Sequence, residues 1–558
     1  MASQETAVTL PGIICPKAKS SFLSRAQLKN SEVLWSQVSA ALIVACSLAY
    51  FFATVQISRK SPLWMDEVMA SWLSQLPGLK SIWFALLHGT MSSPPVYFYL
   101  LKAIRFAGGN SNLALRLPSI AGGYLVGLAV FFVARRYMAL PFAALAMVLS
   151  LETGIFVYAT QVREYTLVTA CFALAVLLWD TPSAKPFAAW RVLSITLLLA
   201  GCVSLHFYGL LLVVAFACME LLWSLVNGRI RARLWLGICV AGGSVLAWYP
   251  LMRYIMSFTS KDASSPKFFA PPTIAHLLTA YGDVAFGGKG LSLYCALLLV
   301  MAALFFWAKV TGRPLLADRV EVKEWKQPRP GNVAGERFEA EETGRSANYE
   351  IIVLATAAVP FIVFLFALVV TKTFNERYAI AGCIGFAMLT ASLISYLRVG
   401  AAISCVLLAG SVVLLAMAPK HATPADPYGA QSLARTGDSD PIVVGEGLVF
   451  LELEAGASPD LRSRLVYLTT PPSEVNPDTT NDGLVKRWHQ FRSDLNIQDP
   501  GAFLRSHSHF YLLHTSESAD VITPWLMHAG RLKVKGTSTD EKDNKDTWLF
   551  EVLPESPQ

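Results

Sequence analysis

The sequence predicts a polytopic α-helical membrane protein with a small α/β domain at its C-terminal end. Three observations predict it. Of the 558 residues, 54% are hydrophobic and only 15% charged, with a mean hydropathy of +0.46, which is more apolar than a soluble protein of this length. Runs of about 20 apolar residues, long enough to cross the hydrocarbon core as helix, recur as far as Met417. Beyond Pro441 the pattern changes to short strand-like runs alternating with helical ones.

The formal charge is +7. Its basic residues cluster in short loops, which reads as membrane topology and gives no nucleic-acid surface. Of the nine cysteines, all but Cys15 fall in apolar runs and none makes a CxxC pair. They read as small hydrophobes rather than as a disulfide framework or metal site. Residues 1–35 form a basic tail, expected to stay cytoplasmic. The run after it is too long for a signal-peptide core, so the first span is expected to be a retained signal anchor.

The spans follow in order. Ser36–Ile57 crosses outward and delivers an extracytoplasmic loop, 58–93, that carries Trp64-Met65-Asp66-Glu67. Its tryptophans and its mixed apolar and polar spacing suit helices lying along the membrane surface. Pro94-Pro95 opens a helix to about Phe106 that is short for a crossing and contains Lys102 and Arg105, so it is read as re-entrant or interfacial. Leu113–Ala134 spans and ends at Arg135-Arg136. Ala139–Tyr158, Val162–Trp179, Trp190–His206, Tyr208–Val226, Leu234–Leu251 and Leu291–Ala308 alternate across the bilayer. A charged cytoplasmic loop, 309–348, looks flexible. Tyr349–Val370, Tyr378–Tyr396 and Ala401–Met417 complete about eleven to twelve spans in a bundle covering 36–418.

A polar linker, 419–440, leads to the extracytoplasmic α/β domain, 441–558. Strands are expected at Pro441-Ile-Val-Val-Gly, Arg464-Leu-Val-Tyr-Leu, His509-Phe-Tyr-Leu-Leu and Thr547-Trp-Leu-Phe-Glu-Val. Helices are expected at Gly447–Ala455, Leu484–Leu495 and Val521–Ala529. The domain has no cysteine, GxGxxG or P-loop, so nothing marks it as nucleotide-binding.

With this topology, polar groups gather on the outer face: Asp66, Glu67, His88, Arg116, Glu152, Arg163, Glu164, His206, and Lys372 with Glu376 and Arg377. Carboxylates and arginines on one face of an apolar bundle suit a substrate with an anionic head and a lipid tail. Arginine grips phosphate oxygens in bidentate fashion, and a carboxylate takes the proton of an attacking hydroxyl. Each residue also has a structural reading. Asp66 and Glu67 suit the first turn of a surface helix. Arg163 and Glu164 suit an interfacial ion pair, and Arg116 a snorkelling role. His88 and His206 suit hydrogen-bonded structural positions. Glu152 lies within a span, where a carboxylate is functional by default. No spacing specifies a metal site, and a divalent cation stays open as cofactor.

The segments Trp64-Met-Asp-Glu-Val-Met-Ala, Pro94-Pro-Val-Tyr-Phe-Tyr-Leu, Ala114-Leu-Arg-Leu-Pro-Ser-Ile-Ala-Gly, Tyr158-Ala-Thr-Gln-Val-Arg-Glu-Tyr-Thr-Leu and Asn375-Glu-Arg-Tyr occur in that order. In order and spacing the chain resembles the GT-C membrane glycosyltransferases. The nearer likeness is to the family 39 branch of protein O-mannosyltransferases, aminoarabinose transferases and RgtA/B/C/D-like enzymes. The dense match covers about Ser58 to Asp180. Ser92 and Ser93 depart from the His or Asp that members often carry before the Pro-Pro step.

The resemblance implies a transferase using a polyprenyl-phosphate sugar, with an extracytoplasmic site and a glycan, lipid or protein as acceptor. Asp66 matches the catalytic acidic position and Glu67 its neighbour. Arg163, Glu164 and Arg377, with Arg116, stand for the donor phosphate. His88, Glu152, His206 and Tyr165 stand as acceptor-side or supporting residues. The implied reaction is inverting, with Asp66 as general base, in the plasma (inner) membrane of a bacterium. The alternative is a transporter or flippase for a lipid-linked sugar, for which repeated halves and polar residues at the midplane are expected. Polar residues gathered toward one face favour the enzyme.

Overall fold

The computed structural model describes residues 25–180, 188–254, 271–286, 347–397, 399–421, 433, 439–469, 480–515, 522–528, 534–537 and 547–552. The expected span Leu291–Ala308, most of the loop 309–348, and Arg398 lie outside the described residues.

Helix α1 (Arg25–Lys60) is 36 residues long, about 50 Å of helix, so it overreaches the bilayer core. The outer loop folds into two short helices, α2 (Met65–Gln75) and α3 (Leu79–Leu87), followed by α4 (Val96–Phe106). Helix α2 buries Val68, Met69, Trp72 and Leu73, worth roughly 1.5–3 kcal/mol each. It is thus held as a packed part of the bundle. Helix α5 (Asn112–Ala134) is a full span.

The expected crossing Ala139–Tyr158 is broken into α6 (Leu140–Leu151) and α7 (Gly154–Ala159). The break lies at Thr153, whose Oγ1 donates back to Ser150 O at 2.8 Å and accepts from Ile155 N at 3.3 Å. A side-chain cap of this kind competes with continued helix. Helices α8 (Tyr165–Trp179), α9 (Ala189–Leu205), α10 (Gly209–Asn227) and α11 (Ala232–Gly243) follow at the expected positions.

The crossing expected at Tyr349–Val370 is two helices, Ala347–Ala357 and Val359–Thr371, bent by 41°. Pro360 lies in the first turn of the second helix, and a proline there removes a donor and crowds the preceding turn. Glu376–Ser395 and Gly400–Met417 close the bundle. Among the described residues six helices are long and apolar enough to cross a membrane, or seven with the bent pair as one span. Three shorter apolar helices, Leu140–Leu151, Tyr165–Trp179 and Ala189–Leu205, stand beside them. Large apolar side chains such as Leu48, Phe52, Leu193, Leu197, Leu236 and Leu414 face outward, as the lipid-facing surface of a bundle requires.

The C-terminal domain holds a six-stranded sheet of order β3-β2-β1-β4-β6-β5. The strands are β1 (Ile442–Val444), β2 (Leu465–Leu468), β3 (Ile497–Gln498), β4 (Phe510–Thr515), β5 (Val534–Thr537) and β6 (Thr547–Val552). The first four are parallel, and β6 pairs antiparallel with β4 and β5. The four expected strands are present. Strands β3 and β5 carry too few apolar residues to announce themselves. The domain lies on the outer face of the bundle, where its helices Gly447–Gly456 and Thr480–His489 reach α2.

Candidate active site

Asp66 lies in the first turn of α2, and the chain from Gln161 to Tyr165 faces it. That second segment is placed by α5. Ser119 Oγ donates to Arg163 O at 2.7 Å, and Thr166 Oγ1 donates to Ser119 O at 2.9 Å. Gly122 lets the two helices approach: a Cβ there would stand 2.9 Å from Leu167 N, too close for any side chain.

Two arginines meet one carboxylate oxygen. Arg163 Nη2 donates to Asp66 Oδ2, and Arg377 Nη1 stands 3.8 Å from the same atom. Arg377 reaches it from the start of Glu376–Ser395, where Asn375 Oδ1 accepts from Arg377 N at 3.2 Å. The guanidinium of Arg163 lies 5.4 Å from the Trp64 ring and 5.8 Å from the Tyr165 ring, and that of Arg377 5.4 Å from Tyr378. Aromatic faces of this sort hold a cation without neutralising it. Nε of both arginines is buried without a hydrogen-bond partner. A buried guanidinium with spare donors suits an anionic ligand.

Glu67 and Arg116 serve differently. Glu67 accepts from Arg116 Nε at 2.9 Å and Nη2 at 2.8 Å, from Trp64 N at 2.9 Å, and from Val162 N. Arg116 also donates to the carbonyls of Ser58, Ser61 and Pro62. Both side chains are buried, at 1% exposure. This is a bidentate pair that ties the end of α1, the start of α2 and the Gln161 segment together. The phosphate contact expected at Arg116 and the catalytic role expected of Glu67 would both need this pair to open. The donors of Arg116 and the oxygens of Glu67 are already taken up by the frame.

Glu164 turns to the other side of the segment. Ser93 Oγ donates to Glu164 Oε1 at 3.0 Å, and His206 Nε2 stands 3.7 Å from that oxygen. His206 Nδ1 accepts from Tyr208 N at 3.1 Å, which leaves the ring proton on Nε2, toward Glu164. Tyr208 stacks on Tyr378 with centroids 3.5 Å apart. His206, Tyr208 and Tyr378 line a small, partly open cleft together with Tyr165, Thr169 and Arg377. Tyr165 and His206 thus join the site.

His88 and Glu152 do not. His88 Nδ1 bonds Phe84 O at 2.8 Å, and its ring packs on Phe84 and Phe491. Glu152 accepts from Ser411 Oγ at 2.9 Å, on the side of the bundle where α1, α6 and Gly400–Met417 meet. The sequence marks Ser93 only as a departure from the family pattern, and assigns no role to Ser119, Tyr208 or Tyr378. Ser119 and Tyr378 sit inside the segments Ala114–Gly122 and Asn375–Tyr378, which single out the motif but not the side chain. Among the described residues no group of three or more His, Cys, Asp or Glu is placed to hold a metal ion.

No protein-family model and no curated protein matches the chain. Solved structures do. ArnT from Cupriavidus metallidurans bound to undecaprenyl phosphate is 11% identical with a TM-score of 0.53, covering 93% of this chain and 100% of its own. The archaeal oligosaccharyltransferase AglB from Archaeoglobus fulgidus, in complex with an inhibitory peptide and a dolichol-phosphate, is 13% identical with a TM-score of 0.39, over 75% and 64%. At these identities the first likeness speaks for the fold alone: the chain shares the overall fold of that ArnT structure.

Proposed function

We propose that this protein is a glycosyltransferase that moves a sugar from a polyprenyl-phosphate donor to a hydroxyl acceptor on the extracytoplasmic side of a bacterial plasma membrane. Within the GT-C fold its nearest branch is the family 39 type. The observation that carries the reading is the convergence of Arg163 and Arg377 on Asp66 Oδ2 beside the aromatic cleft. The ArnT structure, similar in fold, holds undecaprenyl phosphate, and two half-screened arginines at a membrane surface suit such a headgroup.

In the reaction, Asp66 takes the proton of the acceptor hydroxyl on Oδ1, the oxygen its arginines leave open. The acceptor oxygen attacks the anomeric carbon from the face opposite the phosphate, and the bond from that carbon to the phosphate oxygen breaks. The configuration inverts, and polyprenyl phosphate departs with the electron pair. Charge growing on the phosphate is met by Arg377 and Arg163, fixed before the reaction begins. Tyr165, Tyr208 and Tyr378 shield the site from water and offer faces for the sugar. Glu164, held by Ser93 and His206, orients the acceptor side. Glu67 and Arg116 keep α2 and the Arg163 segment in register.

Purified protein in detergent, given a panel of polyprenyl-phosphate sugars and acceptor hydroxyls, tests this. The expected result is release of polyprenyl phosphate coupled to glycoside formation. Movement of an intact lipid-linked sugar across vesicles without cleavage would instead make the chain a flippase.

A further inference from the structure

The helix that carries Asp66 begins with only half a capping box: Trp64 N donates to Glu67 Oε2 at 2.9 Å. Trp64 occupies the N-cap position, and its indole offers no acceptor. A helix start leaves four N–H groups without intrahelical partners. That of Glu67 reaches Trp64 O, as does the first intrahelical donor, Val68 N. The Met65 N–H donates to Glu452 Oε1 at 2.7 Å, a residue 387 positions further along the chain. Glu452 belongs to the C-terminal domain, on its helix Gly447–Gly456, and is buried. A carboxylate there also complements the positive end of the helix dipole.

The same domain grips α2 further along. Trp488 packs edge-on against Trp72 with centroids 5.3 Å apart, and the Arg492 guanidinium lies 4.6 Å from the Trp72 ring. Arg487 Nε donates to Gly89 O at 3.1 Å. Domain and catalytic loop therefore meet through polar and aromatic contacts at both ends of α2.

We propose that Glu452 is a positioning residue: the C-terminal domain supplies the acceptor for the Met65 N–H and so holds the backbone from which Asp66 works. The inference rests on the reading of Asp66 as general base. Met65 directly precedes Asp66, so freeing its N–H loosens the turn that aims the carboxylate. Catalytic groups tolerate displacements of only about 0.5 Å.

The test uses the full-length chain in detergent, as wild type, Glu452→Ala and Glu452→Gln. Two quantities are measured: peptide-resolved hydrogen exchange over residues 64–75, and steady-state sugar transfer from a polyprenyl-phosphate sugar. Glu452→Ala is expected to raise exchange in α2 about tenfold, as loss of a cap does, and to lower kcat with the donor KM unchanged. Glu452→Gln keeps the acceptor oxygen and is expected to restore both. Unchanged exchange in Glu452→Ala overturns the proposal. So does a raised KM with unchanged kcat, or a Gln variant as impaired as Ala. Should Glu452→Ala fail to fold, Glu452→Asp, too short to reach Met65, takes its place. If the wild type transfers no sugar from any donor, the functional reading fails while the exchange comparison still decides the cap.

Discussion

Arg163 and Asp66 lie 97 positions apart and share a direct hydrogen bond from Nη2 to Oδ2. The pair joins the loop between α7 and α8 to the first turn of α2, and both Arg163 and Arg377 address the same carboxylate oxygen, Oδ2. The role of each partner follows from that asymmetry.

Asp66→Asn keeps size and one acceptor oxygen and removes the base. Turnover is expected to fall by roughly 10²–10⁴, with donor binding largely retained. Asp66 stands past the N-cap, so a capping role does not explain a loss. Transfer and donor binding measured side by side decide the matter, and full transfer by Asp66→Asn removes Asp66 from the mechanism.

Arg377 is the more accessible of the two cations, with its side chain 28% exposed against 5% for Arg163. Arg377→Ala is therefore expected to weaken donor binding by the loss of a charge-assisted bond, about 1.5–3 kcal/mol, without unfolding. Arg163→Ala also strips the partner from a half-buried Asp66, so it should lose thermal stability as well as donor affinity. Equal melting temperatures for the two variants would speak against that division.

Glu67→Gln and Arg116→Met each leave one half of a buried pair uncompensated, which costs on the order of 3–5 kcal/mol. Both are expected to depress the melting temperature in detergent before any kinetic effect is read. A Glu67→Gln protein as stable as wild type but slow in transfer would return Glu67 to the chemistry.

The C-terminal domain carries a pH dependence of definite sign. His509 lies between Asp440 Oδ2 and Glu551 Oε1, each at 2.9 Å, and those carboxylates raise its pKa above the ordinary value. Burial pushes Glu454 up to about 7. Both groups bind protons more tightly folded than unfolded. Their contribution is present at low pH and fades as pH rises, through 7 for Glu454 and above 6.5 for His509. Hydrogen exchange in β4 and β6, corrected for intrinsic rates, should be slower at pH 6 than at pH 8. His509→Gln should shrink that difference, and an unchanged difference would show that this histidine is not its source.

The sequence by itself determined where the helices lie, because apolar runs and the basic residues that end them are local properties of the chain. It likewise determined four of the six strands of the C-terminal domain, β1, β2, β4 and β6, and singled out Asp66, Arg163, Glu164 and Arg377 as one group of candidates. Only the tertiary structure decided how those residues divide the work. Glu67 and Asp66 are neighbours of one type, yet Glu67 is closed off by Arg116 from 49 positions away while Asp66 faces Arg163 and Arg377. His88 and Glu152 share the outer-face topology of the site and stand apart from it, each bonded within its own corner. Glu452 sits on a domain that looked separable and bonds a backbone amide 387 positions away. Periodicity records the face a residue presents within its own helix or strand. It holds no record of which distant donor fills a given acceptor, since that depends on the packing of the whole bundle.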